Sequence, residues 1–182
     1  MNVCNFPPEN EDGVILLSFE QVETLFHEFG HALHGLLSEA NYPSLSGTSV
    51  TRDYVEFPSQ MMENWAREPE VIKSFARHYK TGESIPDDLL AKISEAGTFN
   101  EGFGTTEYVA AAHLDMAWHT NEEQISDVNA FEQKALDDLG LIPEIATRYR
   151  STYFGHIFAG GYSSGYYSYP VSYTHLTLPT KA

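Results

Sequence analysis

One cysteine, Cys4, is the only thiol in 182 residues, so no intrachain disulfide can form and the fold has to rest on packing. A single thiol is compatible with a reducing compartment, and a cytoplasmic location is the expectation. Basic residues are scarce as well: 10 Lys and Arg stand against 26 Asp and Glu, for a formal charge of −16, and no Lys/Arg cluster stands out. A nucleic-acid backbone and an anionic membrane are therefore not expected partners, and the acidity reads as a solvated surface. No apolar run reaches membrane-spanning length. The opening MNVCNFPPENEDG has neither the basic start nor the apolar stretch of a signal peptide. There is no internal repeat. What is present is the composition of a globular domain, 42% hydrophobic and 13% aromatic, in a chain long enough to bury a core.

The strongest local signal is a helix. Ser18 with Gln21 three residues on forms a capping-box pattern, and Val22, Leu25, Phe26, Phe29, Ala32, Leu33, Leu36 and Leu37 recur at helical spacing to about Ser38. The preceding run 14–17 is short and apolar and reads equally as a strand or as the approach to the helix. Residues 40–52 are rich in turn formers and small polar residues and predict a loop. A second helix is expected over 53–67, with Pro58 tolerated only in its first turn. Further helices are predicted at 70–80, stopped by Gly82, at 86–96 with Ser84 or Asp87 as cap, at 106–119, and at 127–139, ended by Gly140. From Tyr153 the composition turns to Gly, Ser and Tyr and reads as a flexible aromatic loop. The fold class is mainly α.

Within the first helix, His27-Glu28-Phe29-Gly30-His31 has the H-E-x-x-H form. Four residues are roughly one turn, so both imidazoles leave one face and can bind a single zinc ion. Glu28 is rotated off that axis toward the metal's open position, where a carboxylate can take a proton from water instead of ligating. His34 breaks the spacing and reads as a packing residue or as one that bonds behind a ligand. A catalytic zinc usually keeps three protein ligands, and neither Cys4 nor a further His at suitable spacing supplies the third. The second helix offers carboxylates on an apolar and aromatic face, Glu56 and, seven residues on, Glu63. Glu56 is the preferred ligand on this reading and Glu63 the alternative. Glu63 would then orient a ligating His.

Three blocks, VETLFHEFGHALHGLLS, RDYVEFPSQMMENW and FGHIFAGGYSSGYYSY, resemble in order the catalytic blocks of the thimet oligopeptidase family of zinc peptidases. The resemblance runs from about Asn5 to Tyr169. It implies a helical zincin-type core, a portion of a larger two-lobed helical peptidase, with one Zn2+ per chain on His27, His31 and Glu56. Glu63 then becomes the carboxylate behind a ligating His, and Glu28 the general base. It also implies that His156, Tyr162, Tyr166 and Tyr169 contact substrate or the transition state, with Tyr166 and Tyr169 nearest the chemistry, where a hydroxyl can stabilise an oxyanion. The stretch SGTSVTRDYVEFPSQ is more similar to bacterial peptidyl-dipeptidases, which release C-terminal dipeptides, than to the endo-acting branch. Short peptides are the implied substrates. Cytosolic and periplasmic members would look alike in these blocks.

Two departures from the family pattern stand out. Family members are several times longer, so the chain resembles a C-terminal catalytic portion, residues 1–170, and a zinc-binding chain without turnover is a competing expectation. After Tyr169 the family continues with a helix near a Trp and an acidic residue, whereas this chain reads PVSYTHLTLPTKA. Residues 171–182 resemble a translated adaptor, a non-native tail to be set aside, and His175 is not offered as a ligand.

Overall fold

A computed structural model describes residues 2–177. Nine α-helices follow one another among them: α1 Phe19–Leu36, α2 Arg52–Val55, α3 Phe57–Arg67, α4 Pro69–Phe75, α5 Asp87–Ala96, α6 Glu101–Thr120, α7 Val128–Asp137, α8 Gly155–Phe158 and α9 Ser168–Thr177. Short 3₁₀ turns sit at Pro43–Leu45 and Ser151–Tyr153. Among the described residues there is no strand, only an isolated bridge between Arg77 and Ser84, and no helix is long and apolar enough to cross a membrane. The mainly α expectation holds. The chain divides into two compact units, one running to Gly97 and the other spanning Thr98–Thr174.

In the first unit, α1 begins where the capping box predicts. Ser18 Oγ accepts from the Gln21 amide at 3.3 Å, and Gln21 Oε1 accepts from the Ser18 amide at 2.9 Å, so two otherwise orphaned donors are satisfied. Residues 14–17 form no strand. The expected helix over 53–67 is broken in two, because Pro58 has no N–H to give the preceding turn; Glu56 ends α2 and opens α3 at φ −87° and ψ −8°, with Pro58 in the first turn of α3. The helix expected over 70–80 stops at Phe75, and 76–85 instead turns back on itself around Gly82 at φ 74°. Pro86, not Ser84 or Asp87, occupies the cap position of α5.

In the second unit α6 is longer than predicted at both ends and starts after Asn100 in the left-handed region, φ 58°. Asp127 caps α7 by accepting from the Ala130 amide at 3.0 Å. The Gly-, Ser- and Tyr-rich segment is not a flexible loop. It folds into α8, a run of turns and α9, and builds the core: Phe154, Ile157 and Tyr166 are buried with Ala111 and Ala112 of α6, and Tyr108, Trp118, Tyr149, Tyr162 and Tyr169 pack around them. Aromatic content read as mobility is here the apolar material that fills the unit. Residues 171–177 continue α9, with Ser172 buried; 178–182, the rest of the suspected tail, lie outside the described residues.

Candidate metal centre

Gly30 sets how closely α1 and α3 approach. A Cβ built there would lie 2.5 Å from Ser59 Cα and 2.6 Å from Pro58 O, so only hydrogen fits between the helices. The break before α3 places Glu56 at that contact. Glu56 is the most buried carboxylate of the unit at 1% exposure, beside Ser59 at 0%. Ser59 Oγ donates to Glu56 Oε2 at 3.0 Å, which fixes the carboxylate rotamer.

The two histidines of α1 stand one turn apart with ring centroids 4.9 Å from each other and nearly perpendicular planes. Both aim Nε2 at the same oxygen: Glu56 Oε2 lies 3.2 Å from His27 Nε2 and 3.1 Å from His31 Nε2. Behind His27, Glu63 Oε1 sits 2.6 Å from Nδ1. A carboxylate there accepts a hydrogen bond from the Nδ1–H, so that Nε2, which faces Glu56 and His31, is the nitrogen that an ion can claim by displacing its proton. Burial pulls the His27 imidazole down, but hydrogen bonds and charge from Glu56 and Glu63 outweigh it and leave its pKa raised to about 9. His31 Nδ1 is buried with no hydrogen-bond partner among the described residues. Glu28 is half-buried, and its carboxylate takes no ion pair or hydrogen bond from another described residue.

These residues fit a divalent ion of the zinc type. The donors are two imidazoles and a carboxylate, and their ligand atoms all lie within 4.8 Å of one another. Ligands about 2.1 Å from a tetrahedral zinc stand about 3.4 Å apart, close to the observed imidazole-to-carboxylate spacing. Of the two carboxylates open to the sequence reading, Glu56 faces both Nε2 atoms and Glu63 backs one ring.

The remaining predicted site residues belong to the second unit and form a cluster of their own. His156 of α8 lies 6.2 Å from Tyr162 and 5.9 Å from Tyr166, centroid to centroid. Tyr162 stacks on Tyr169 at 5.2 Å, and Tyr166 is 5.2 Å from Tyr169. Tyr166 is buried, and desolvation followed by the neighbouring Tyr108 pushes its hydroxyl well above the usual tyrosine range, so it stays protonated as a donor.

Three contributors were not singled out from sequence. Gly30 and Ser59 shape the candidate metal centre, and their only signal was position, Gly30 inside the H-E-x-x-H run and Ser59 one turn after Glu56. Asp115, fully buried on α6, accepts from the Ser164 amide at 3.0 Å and the Tyr166 amide at 2.9 Å, with His119 Nδ1 at 2.8 Å. It holds the tyrosine segment where Ser164 adopts φ 54°, a conformation that costs a non-glycine residue. An acid in the middle of an apolar helix was its signal.

Residues 1–176 match the model of Peptidase family M3. The chain is 49% identical over 171 residues to the dipeptidyl carboxypeptidase of Escherichia coli (strain K12), covering 92% of this chain and 25% of that protein. It is 39% identical to the organellar oligopeptidase A, chloroplastic/mitochondrial, of Arabidopsis thaliana, over 92% of the chain and 22% of the relative. It is 37% identical to a mitochondrial intermediate peptidase of Neurospora crassa, over 92% and 21%. The chain thus spans about a quarter of the length of the curated relatives it matches.

Proposed function

The chain belongs to Peptidase family M3, and from that premise we propose that it carries the zinc-binding and catalytic core of a peptidase that releases dipeptides from the C-terminus of short peptides. The observation that carries the proposal is the pair of H-E-x-x-H imidazoles converging on one buried carboxylate oxygen, with a second carboxylate behind His27. His27, His31 and Glu56 would hold the ion, one per chain. When bound, zinc supplies Lewis acidity toward a peptide carbonyl and makes a water acidic near neutral pH.

The chain's own residues do the rest. Glu28, next to a ligand on α1 and uncommitted to another described residue, takes the proton of the attacking water and returns it to the departing amine. Glu63 keeps the His27 ring in one tautomer and one orientation. By the family resemblance the hydroxyls of Tyr166 and Tyr169 donate to the oxyanion, and His156 and Tyr162 contact the peptide. The release of dipeptides is supported by the higher identity to a protein named dipeptidyl carboxypeptidase than to those named oligopeptidase.

A Glu28→Gln substitution tests the core of this reading. Hydrolysis of a short peptide is expected to fall by about 10²- to 10⁴-fold while elemental analysis still finds one zinc per chain. Undiminished hydrolysis would remove Glu28 from the role of base. Loss of zinc from Glu56→Ala, measured beside it, checks the third ligand, and retention of a full equivalent would exclude Glu56.

A further inference from the structure

One face of α6 supports Tyr166. Tyr108, Ala111, Ala112, Asp115 and His119 recur at helical spacing, so their side chains leave the helix on the same side. Tyr108 stacks on the Tyr166 ring at 5.5 Å, Ala111 and Ala112 are buried in the same core, and Asp115 accepts from the Tyr166 amide. His119 completes the row, and the proposed chemistry gives it no task.

The His119 ring is held by two acceptors. Nδ1 stands 2.8 Å from Asp115 Oδ1 and 2.9 Å from Asp115 O, a carboxylate oxygen and a carbonyl oxygen one helical turn back. Both can only accept, so Nδ1 carries a proton and His119 donates. The Phe158 ring of α8 lies 5.8 Å from the imidazole. Asp115 is fully buried, and its other donors are the Ser164 amide on Oδ1 and the Tyr166 amide on Oδ2, at 3.0 and 2.9 Å. A carboxylate so far from water depends on each of these donors. Because the two amides use different oxygens, a turn of the carboxylate about its Cβ–Cγ bond would loosen both together. An imidazole anchored on the same helix opposes that turn. The segment needs such a hold, since Ser164 stays at φ 54°.

We propose that His119 is a positioning residue: by locking the Asp115 carboxylate it fixes the backbone at 164–166, and with it the place from which the Tyr166 hydroxyl is presented. Its consequence for hydrolysis rests on the oxyanion role given to Tyr166 above. His119 touches neither peptide nor ion in this assignment and acts through Asp115 and the Tyr166 amide.

The test compares His119→Asn, His119→Gln and His119→Phe with wild type in the full zinc-loaded chain. Asn puts an NH2 near the place of Nδ1, Gln puts one near that of Nε2, and Phe keeps a ring without a donor. The first readout is amide hydrogen exchange at Ser164 and Tyr166, referred to the amide of Ala111 in the buried middle of α6. Gln and Phe are expected to speed exchange at both amides by about 10- to 100-fold with Ala111 unchanged, and Asn to recover most of the protection. In hydrolysis of a short peptide, Gln and Phe should lower kcat by about 10- to 100-fold at unchanged KM, with zinc content unaffected. If the Phe variant does not fold, Asn against Gln decides alone. Unchanged exchange in Gln, an Asn variant as loose as Gln, or an equal rise at Ala111 overturns the assignment, as does an unchanged kcat in an active chain whose two amides have loosened. The expected exchange pattern in a chain that hydrolyses no peptide upholds the lock on the segment and counts against the peptidase reading alone, because exchange needs no activity.

Discussion

Gly30 shows how one atom decides a candidate metal centre. His27 and His31 are set by helical spacing, but Glu56, the proposed third ligand, arrives from the joint before α3, and it can reach them only because α1 presents a hydrogen where Ser59 Cα and Pro58 O come closest. Gly30→Ala should push the helices apart. The expected cost is about 1–3 kcal/mol in urea denaturation, with weakened zinc affinity because Glu56 withdraws from both imidazoles. Unchanged stability together with unchanged zinc affinity would show that the helices accommodate a methyl group. The same scale explains how Glu63 acts in the proposed site, behind His27 and not on the ion. Its oxygen 2.6 Å from His27 Nδ1 determines which nitrogen of that ring is free, and the elevated His27 pKa reflects two carboxylates bearing on one imidazole.

Among the elements, those with a local signature were legible and those governed by distant partners were not. The capping box and the apolar period located α1 to within two residues. The split between α2 and α3 follows from Pro58, yet its consequence, a buried Glu56 at the joint, depends on what packs there. The tyrosine segment was misread as mobile because Gly and Ser are abundant in it, whereas Asp115 on α6 ties down its backbone from 49 and 51 residues away. Asp115→Asn replaces one of the two oxygens that accept these amides by an NH2, which sets a donor against one of them. A destabilisation of about 2–3 kcal/mol is expected, with faster amide exchange at Ser164 and Tyr166 and a changed near-ultraviolet tyrosine circular dichroism. Equal exchange at both amides in variant and wild type would show that Asp115 does not restrain the segment.

For the whole molecule, the proposed site, with residues from α1 and from the joint before α3, would link metal binding to folding, since the unfolded chain has no preformed site. Zinc at about 1,000 times its dissociation constant should stabilise the chain by about 4 kcal/mol and raise the thermal midpoint by roughly 10 °C, reversed by a chelator. A midpoint indifferent to zinc would deny that the centre assembles in the folded chain. By itself the sequence determined the helical class, the two imidazoles on one face and Glu28 beside them, because these depend on spacings of one or two helical turns, over which backbone geometry is fixed. Block resemblance then pointed to Glu56. Only the tertiary structure decided which carboxylate faces both Nε2 atoms, what holds it there, and that the tyrosines form a core. These depend on contacts between segments tens of residues apart, made by packing and burial that no local pattern encodes.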